Sequence, residues 1–142
     1  MILDMQSLFS DDQAITSTAV STNLIDLGAT GTPPLSSNAL VRDVGKGTPV
    51  EILIICTVAH GGTTPTLVVT LEQDDNVGFA SATVVGTATE MADAEVGDRA
   101  SIFFIPEGVN ERFIRLNYTA GGTTPTITIT AGLALGTQSN KQ

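Results

Sequence analysis

Gly61-Gly62-Thr63-Thr64-Pro65-Thr66 returns unchanged as Gly121-Gly122-Thr123-Thr124-Pro125-Thr126, 60 residues later. The first copy leads into the alternation Leu67-Val68-Val69-Thr70-Leu71, the second into Ile127-Thr128-Ile129-Thr130. Paired glycines permit positive φ, and proline fixes φ while withholding an N–H where pairing resumes. The repeat predicts two similar β-hairpins, with the hexapeptides at tips lying at the same end of one all-β domain.

Period-2 runs outward from the repeats predict strands at about 18–27, 50–58, 66–73, 81–88, 99–105, 111–119 and 126–135, with a weaker candidate at 38–44. Turn chemistry separates them: Gly28–Pro34, Gly45-Lys46-Gly47, Asp74-Asp75-Asn76, Gly97-Asp98 and Pro106–Asn110. Seven or eight short strands predict a single-domain, two-sheet β-sandwich, and eight suit a jelly roll. Residues 1–17 are apolar without a steady period and read as an N-terminal arm. The sandwich then covers 18–137, and 138–142 read as a flexible tail.

Faces follow from the alternation. Ile127, Ile129, Ala131 and Leu133 share one face, opposite Thr126, Thr128 and Thr130. Ile114, Leu116 and Tyr118 oppose Phe113, Arg115 and Asn117. The 50–58 strand is apolar on both sides, Leu53 and Ile55 opposing Ile52, Ile54, Cys56 and Val58. Such a strand needs cover on each face, and a sister subunit is one source of it.

At 142 residues the chain suits one domain, able to bury roughly 68–70% of its unfolded surface. Hydrophobic residues make 42% and charged ones 15%, which fits a packed domain rather than a disordered tail. The net charge of −9 argues against a nucleic-acid partner, because phosphate binding needs a basic face. Cys56 is the only cysteine, so no intrachain disulfide forms and a reducing compartment is expected for folding. Asp4 interrupts the apolar N-terminus, which lacks a basic leader, and no stretch reaches membrane-spanning length. A membrane partner is therefore not expected.

Groups that could carry chemistry are sparse. His60 is the only histidine and lacks a triad's spacing; a cupin-type metal site would need several such ligands. Asp74-Asp75-Asn76 lacks a calcium-loop pattern and reads as a turn. Glu90, Asp93 and Glu95 read as a solvated loop rather than a glycosidase pair. Cys56, in the most apolar strand, reads as a small hydrophobe. No catalytic residue, cofactor or metal ligand is expected. Arg99, Arg112 and Arg115 are half of the basic residues. They pair with carboxylates inside the chain, or they face carboxylates on a partner, since guanidinium suits interfaces.

Three stretches carry a family resemblance. Met1-Ile2-Leu3-Asp4, Leu8-Phe9-Ser10-Asp11 and Gln13-Ala14 run on to Ser21-Thr22-Asn23-Leu24-Ile25-Asp26-Leu27-Gly28. Gly108-Val109-Asn110-Glu111-Arg112-Phe113-Ile114-Arg115-Leu116-Asn117-Tyr118 is the second, and Gly121–Thr126 with the closing strand is the third. From end to end the chain resembles the small jelly-roll cement proteins of tailed-bacteriophage capsids, of the Bordetella-phage type. The resemblance implies a non-enzymatic virion protein, made in the host cytoplasm, that sits on the capsid exterior and ties major capsid subunits together. The expected partners are the major capsid protein and a second copy of the chain, as a homodimer. The candidate interface is Ile2, Leu3, Met5, Leu8 and Phe9 of the arm, Leu53, and Arg99, Arg112 and Arg115. A carbohydrate-binding jelly roll of a phage surface or tail is the alternative, against which scarce aromatics and the lack of Trp count.

Overall fold

In a computed structural model, which describes residues 4–100 and 103–134, two strands organise the chain. The strands are β1 (Leu8–Ile15), β2 (Ala19–Val20), β3 (Ile25–Asp26), β4 (Glu51–Asp74), β5 (Thr83–Thr87), β6 (Met91–Ala92), β7 (Phe103–Phe104) and β8 (Phe113–Ala134). A single 3-10 turn, Met5–Ser7, precedes them, and the Asp4 carboxylate accepts from the Gln6 N–H at its start. The fold is all-β, as the alternation predicts.

β4 has 24 residues and β8 has 22, and they pair antiparallel from Glu51↔Ala134 to Asp74↔Phe113. A straight strand of that length would reach about 80 Å. A chain of this size has a radius of gyration of only about 14 Å. The ribbon must therefore bend, and it bends where the two hexapeptides meet. Gly61 pairs with Thr126, Thr63 with Thr123 and Thr66 with Gly121, with register shifts throughout this stretch.

The hexapeptides are thus not the hairpin tips that the sequence suggests. They lie midway along two strands and pair with each other. Each supplies the same parts in antiparallel order. Gly62 and Gly122 take φ of 107° and 96°, and Thr64 and Thr124 take 47° and 49°. A Cβ on Gly61 would lie 2.5 Å from Thr126 Oγ1, and one on Gly121 would lie 2.5 Å from Thr66 Oγ1. The first glycine of each copy makes room for the last threonine of the other. The second glycine supplies the left-handed backbone of a bulge.

The rest of the sheet follows this bent ribbon along both edges. Residues 8–26 run beside β8: β1 pairs with 127–132, β2 with Tyr118 and Asn117, β3 with Ile114 and Phe113. Residues 83–100 and 103–105 run beside β4 through β5, β6, the Ile55↔Arg99 bridge and β7. Around one half of the ribbon the order is β1, β8, β4, β7; around the other it is β3, β8, β4, β5. The expected 18–27 strand is split because Ser21 replaces a backbone acceptor. Its N–H donates to Leu116 O, while its Oγ accepts from Leu116 N–H. The 38–44 candidate is not a strand.

Both halves bury their inward faces in one core. Ile52, Ile54, Cys56, Ile127, Ile129 and Ala131 come from one half; Leu67, Val69, Leu71, Ile114, Leu116 and Tyr118 come from the other. Tyr118 OH and Ser10 Oγ, 2.7 Å apart, join the two across that core. The phenol has no exposure, and burial pushes its pKa upward, with the Ser10 hydrogen bond partly offsetting this.

The second face of β4 is covered from within the chain. Leu8 and Leu53 both pair with Gly132, so the three form one cross-strand row. A Cβ on Gly132 would lie 3.0 Å from Leu8 Cδ2, so Leu8 occupies the space that the glycine leaves. Leu53 is 3% exposed, and Phe9 is fully buried. Much of the expected arm is therefore a strand of the sheet.

These contacts give an expected ranking. Gly122→Ala places a Cβ at positive φ and within 2.8 Å of two carbonyl oxygens, at Thr63 and Thr64. Urea unfolding should show a loss of about 2–4 kcal/mol. Gly28→Ala, at φ 82° with open space around it, should cost only about 1 kcal/mol. Equal losses would contradict the bend as described.

Candidate functional site

The outward rows of the sheet carry the arginines. Alternation in β8 turns Ile114 and Leu116 inward and leaves Arg115 outward, where the register sets it opposite Glu72 of β4. Arg115 Nε donates to Glu72 Oε2 at 2.8 Å, with the two side chains 22% and 12% exposed. The guanidinium lies 4.1 Å from the centre of the Phe79 ring, an aromatic lid supplied by the loop after β4. That loop is held by Asp74, which accepts from Asn76 N–H, Ser81 N–H and Ser81 Oγ. These bonds, the one from Asn76 first, hold the Asp74 carboxyl below its ordinary pKa. The expected turn at Asp74-Asp75-Asn76 is present.

Arg112 lies at the start of the same run and forms a two-pronged pair with Asp26 of β3. Nε donates to Oδ1 at 2.9 Å and Nη2 donates to Oδ2 at 2.7 Å. The hydrogen bond from Arg112, then that from the Gly28 N–H, hold the Asp26 carboxyl down to about 2. Arg112 and Arg115 thus pair within the chain, and their partners are Asp26 and Glu72 rather than the nearby Glu107 and Glu111. Arg99 is exposed on the segment beside β4 and forms neither ion pair. It borders a hollow of about 360 Å³ with Glu90, Met91 and Asp98.

Of the interface expected from the sequence, Met5, Leu8 and Arg115 come together. They line a hollow of about 610 Å³ with Val20, Leu24, Val77 and Phe79. Met5 is 83% exposed at its edge, and Val20, Leu24 and Val77 are exposed as well. Leu8, Phe9 and Leu53 do not offer a free surface, because the fold buries them. Ile2 and Leu3 lie outside the described residues, as does the expected tail at 138–142. Leu35, Leu40 and Val41, exposed on the connection between β3 and β4, are absent from the expected set. The uncharged run from Leu27 to Val41 was the available signal for them.

The chemically versatile side chains are engaged in packing. His60 Nδ1 accepts from the Ala94 N–H at 2.9 Å, and burial holds the imidazole pKa below its ordinary value. Cys56 Sγ donates to Val58 O at 3.2 Å, and burial, then Asp98, pushes the thiol up. Among the described residues no three His, Cys, Asp or Glu side chains gather as a metal site. Glu90, Asp93 and Glu95 are exposed.

Comparison with known proteins is consistent with a phage protein. The family model described as Bbp16 matches residues 9–134, and the family is phage-derived. No curated protein matches the chain.

The Asp26–Arg112 pair yields a pH expectation. Folding lowers the Asp26 pKa from 3.8 to about 2. Its stabilisation is therefore fully present above pH 3.8 and lost as pH falls through 2. Both side chains are well exposed, so the effect on stability is small. An NMR titration of the Asp26 carboxyl should give a midpoint near 2, moving up toward the ordinary range in Arg112→Ala. A midpoint unmoved by that substitution would contradict the pairing.

Proposed function

The chain belongs to the Bbp16 family, and on that premise we propose that it is a structural virion protein that binds the outside of a bacteriophage capsid and cements neighbouring major capsid subunits. Family membership over residues 9–134 is the observation that carries this reading. The strand order in the two halves of the ribbon, β1-β8-β4-β7 and β3-β8-β4-β5, supports a jelly roll built by folding one antiparallel ribbon over.

The physical requirements of a cement fit the molecule. A cement must span a joint without deforming, and two long strands sharing one core supply that stiffness. It must also hold through several modest contacts, since copies bound to one lattice gain by avidity. The exposed apolar residues around the Met5 hollow and on the β3–β4 connection are separate patches of this kind. The acidic chain, at −9, suits a shell surface rather than packaged nucleic acid. Dimerisation belongs to the same proposal. Its support moves from Leu53, which is buried, to the Met5 hollow.

Purified full-length chain added to capsid shells lacking it should co-sediment saturably and raise the temperature at which the shells fall apart. Shells that neither bind it nor gain heat resistance would overturn the proposal. Met5→Glu, at an exposed site, should weaken shell binding or self-association while leaving the melting temperature of the free protein unchanged.

A further inference from the structure

His60 stands where β4 begins to bend, and it fastens the segment between β6 and β7 at that point. Its backbone N–H donates to Ala94 O at 2.8 Å, and its Nδ1 accepts from Ala94 N–H at 2.9 Å. The next residue back, Asp93, donates its N–H to Pro65 O at 3.2 Å. Two consecutive residues thus clip one side of the bend to the other, across the bulged stretch 61–64. Asp93 takes φ of 46° to do so, a left-handed conformation that a residue other than glycine keeps only while its neighbours are held.

The ring works in one protonation state. A neutral imidazole has one acceptor nitrogen and one donor. Because Nδ1 accepts from Ala94, the proton resides on Nε2, which is buried and has no hydrogen-bond partner among the described residues. A second proton would set Nδ1–H against Ala94 N–H, donor against donor, and would place a charge where water does not reach Nε2. Burial accordingly holds the imidazole pKa below its ordinary value, with the Asp93 carboxylate partly offsetting this. Outside its slot the imidazolium meets a different field. Residues 52–71 of β4 and 116–134 of β8 carry no Asp, Glu, Lys or Arg. β1 lies beyond β8, where its Asp12 meets Thr130. The nearby charges belong to the clipped segment and its flanks: Glu90, Asp93, Glu95 and Asp98, with Arg99 at the Ile55 bridge, all exposed.

We propose that His60 is an acid-sensitive latch: the neutral imidazole clips residues 93–96 across the bend, and protonation releases them while the sheet stays folded. The release is local, because the segment is also tied on both sides. β6 pairs with Thr66 and Leu67 before it, and Gly97 and Asp98 bond to the Cys56 backbone after it. The inference does not depend on the capsid reading. Its sign follows from the folded ring titrating below the ordinary 6.5, so the latched state binds fewer protons than the released one. Latching is at full strength above 6.5 and weakens as pH falls from there toward the folded midpoint. Opening takes up one proton, so it rises by up to about ten-fold per pH unit across that window.

The test uses the full-length chain, whose single histidine makes the ring signals in heteronuclear NMR unambiguous. Amide exchange, corrected for its intrinsic pH dependence, reads Ala94, with Ala88, whose N–H donates to Val69 O, as the control. The ring should be the Nε2–H tautomer at neutral pH and titrate below 6.5. Ala94 should lose protection over the same range while Ala88 keeps it. His60→Asn offers an amide oxygen to Ala94 without titrating, and should leave Ala94 protection independent of pH. An Nδ1–H tautomer, or a midpoint at or above 6.5, would overturn the latch. So would Ala94 protection that stays flat while the ring titrates, since the imidazolium would then fit the slot. Equal loss at Ala88 would replace local release with general unfolding, and acid-sensitive Ala94 in His60→Asn would assign the effect to a carboxylate; either result overturns the proposal.

Discussion

The mutual pairing of the two Gly-Gly-Thr-Thr-Pro-Thr segments is the contact on which the rest of the structure depends. β4 and β8 are each several times longer than an average strand, so one flat ribbon could not close a core. Bulges placed opposite each other let both strands turn at the same level. Each copy supplies a glycine to clear a threonine, a glycine at positive φ and a threonine at positive φ. A single bulged strand would bend against a straight partner and lose ladder hydrogen bonds. Using the same hexapeptide twice makes the two strands yield together.

From that bend follows the placement of everything else. The flanking segments 8–26, 83–100 and 103–105 copy the ribbon's path, so β1 and β3 fall in different halves of the sheet although only nine residues separate them. Ser10 of β1 then meets Tyr118 of β8 across the core. Gln73, at the far end of β4, donates to Gly108 O and accepts from the N–H groups of Asn110 and Glu111, fixing the approach to β8. That approach holds Arg112 against Asp26, and Glu111 O in turn receives Arg42 at the base of the β3–β4 loop. A connected set of hydrogen bonds thus runs from the end of the ribbon to the exposed loop between β3 and β4.

Local pattern was readable and long-range pairing was not. The alternations at Ile114-Leu116-Tyr118 and Ile127-Ile129-Ala131 appear as buried faces, and Asp74-Asp75-Asn76 forms its turn. These depend on neighbours a few residues away. The hexapeptide is ambiguous by itself, because glycine and proline punctuate a chain in the same way whether it reverses or only bends. Which occurs depends on a partner 60 residues distant. The second apolar face of β4 suggested a subunit contact because nothing local indicates that Leu8 lies over Gly132. The arginines illustrate the same limit: Asp26 and Glu72 are 86 and 43 residues from the cations they meet. The exposed loop is not legible in the sequence because turn residues signal a connection without saying whether its apolar side chains are covered.

A cryo-EM map of the virion tests the functional claim most directly. If the chain is a capsid cement, its density lies on the outer surface of the shell. Each copy or dimer then touches at least two coat subunits. Density confined to the capsid interior or the tail, or copies that each rest on one coat subunit without bridging to another, would contradict it.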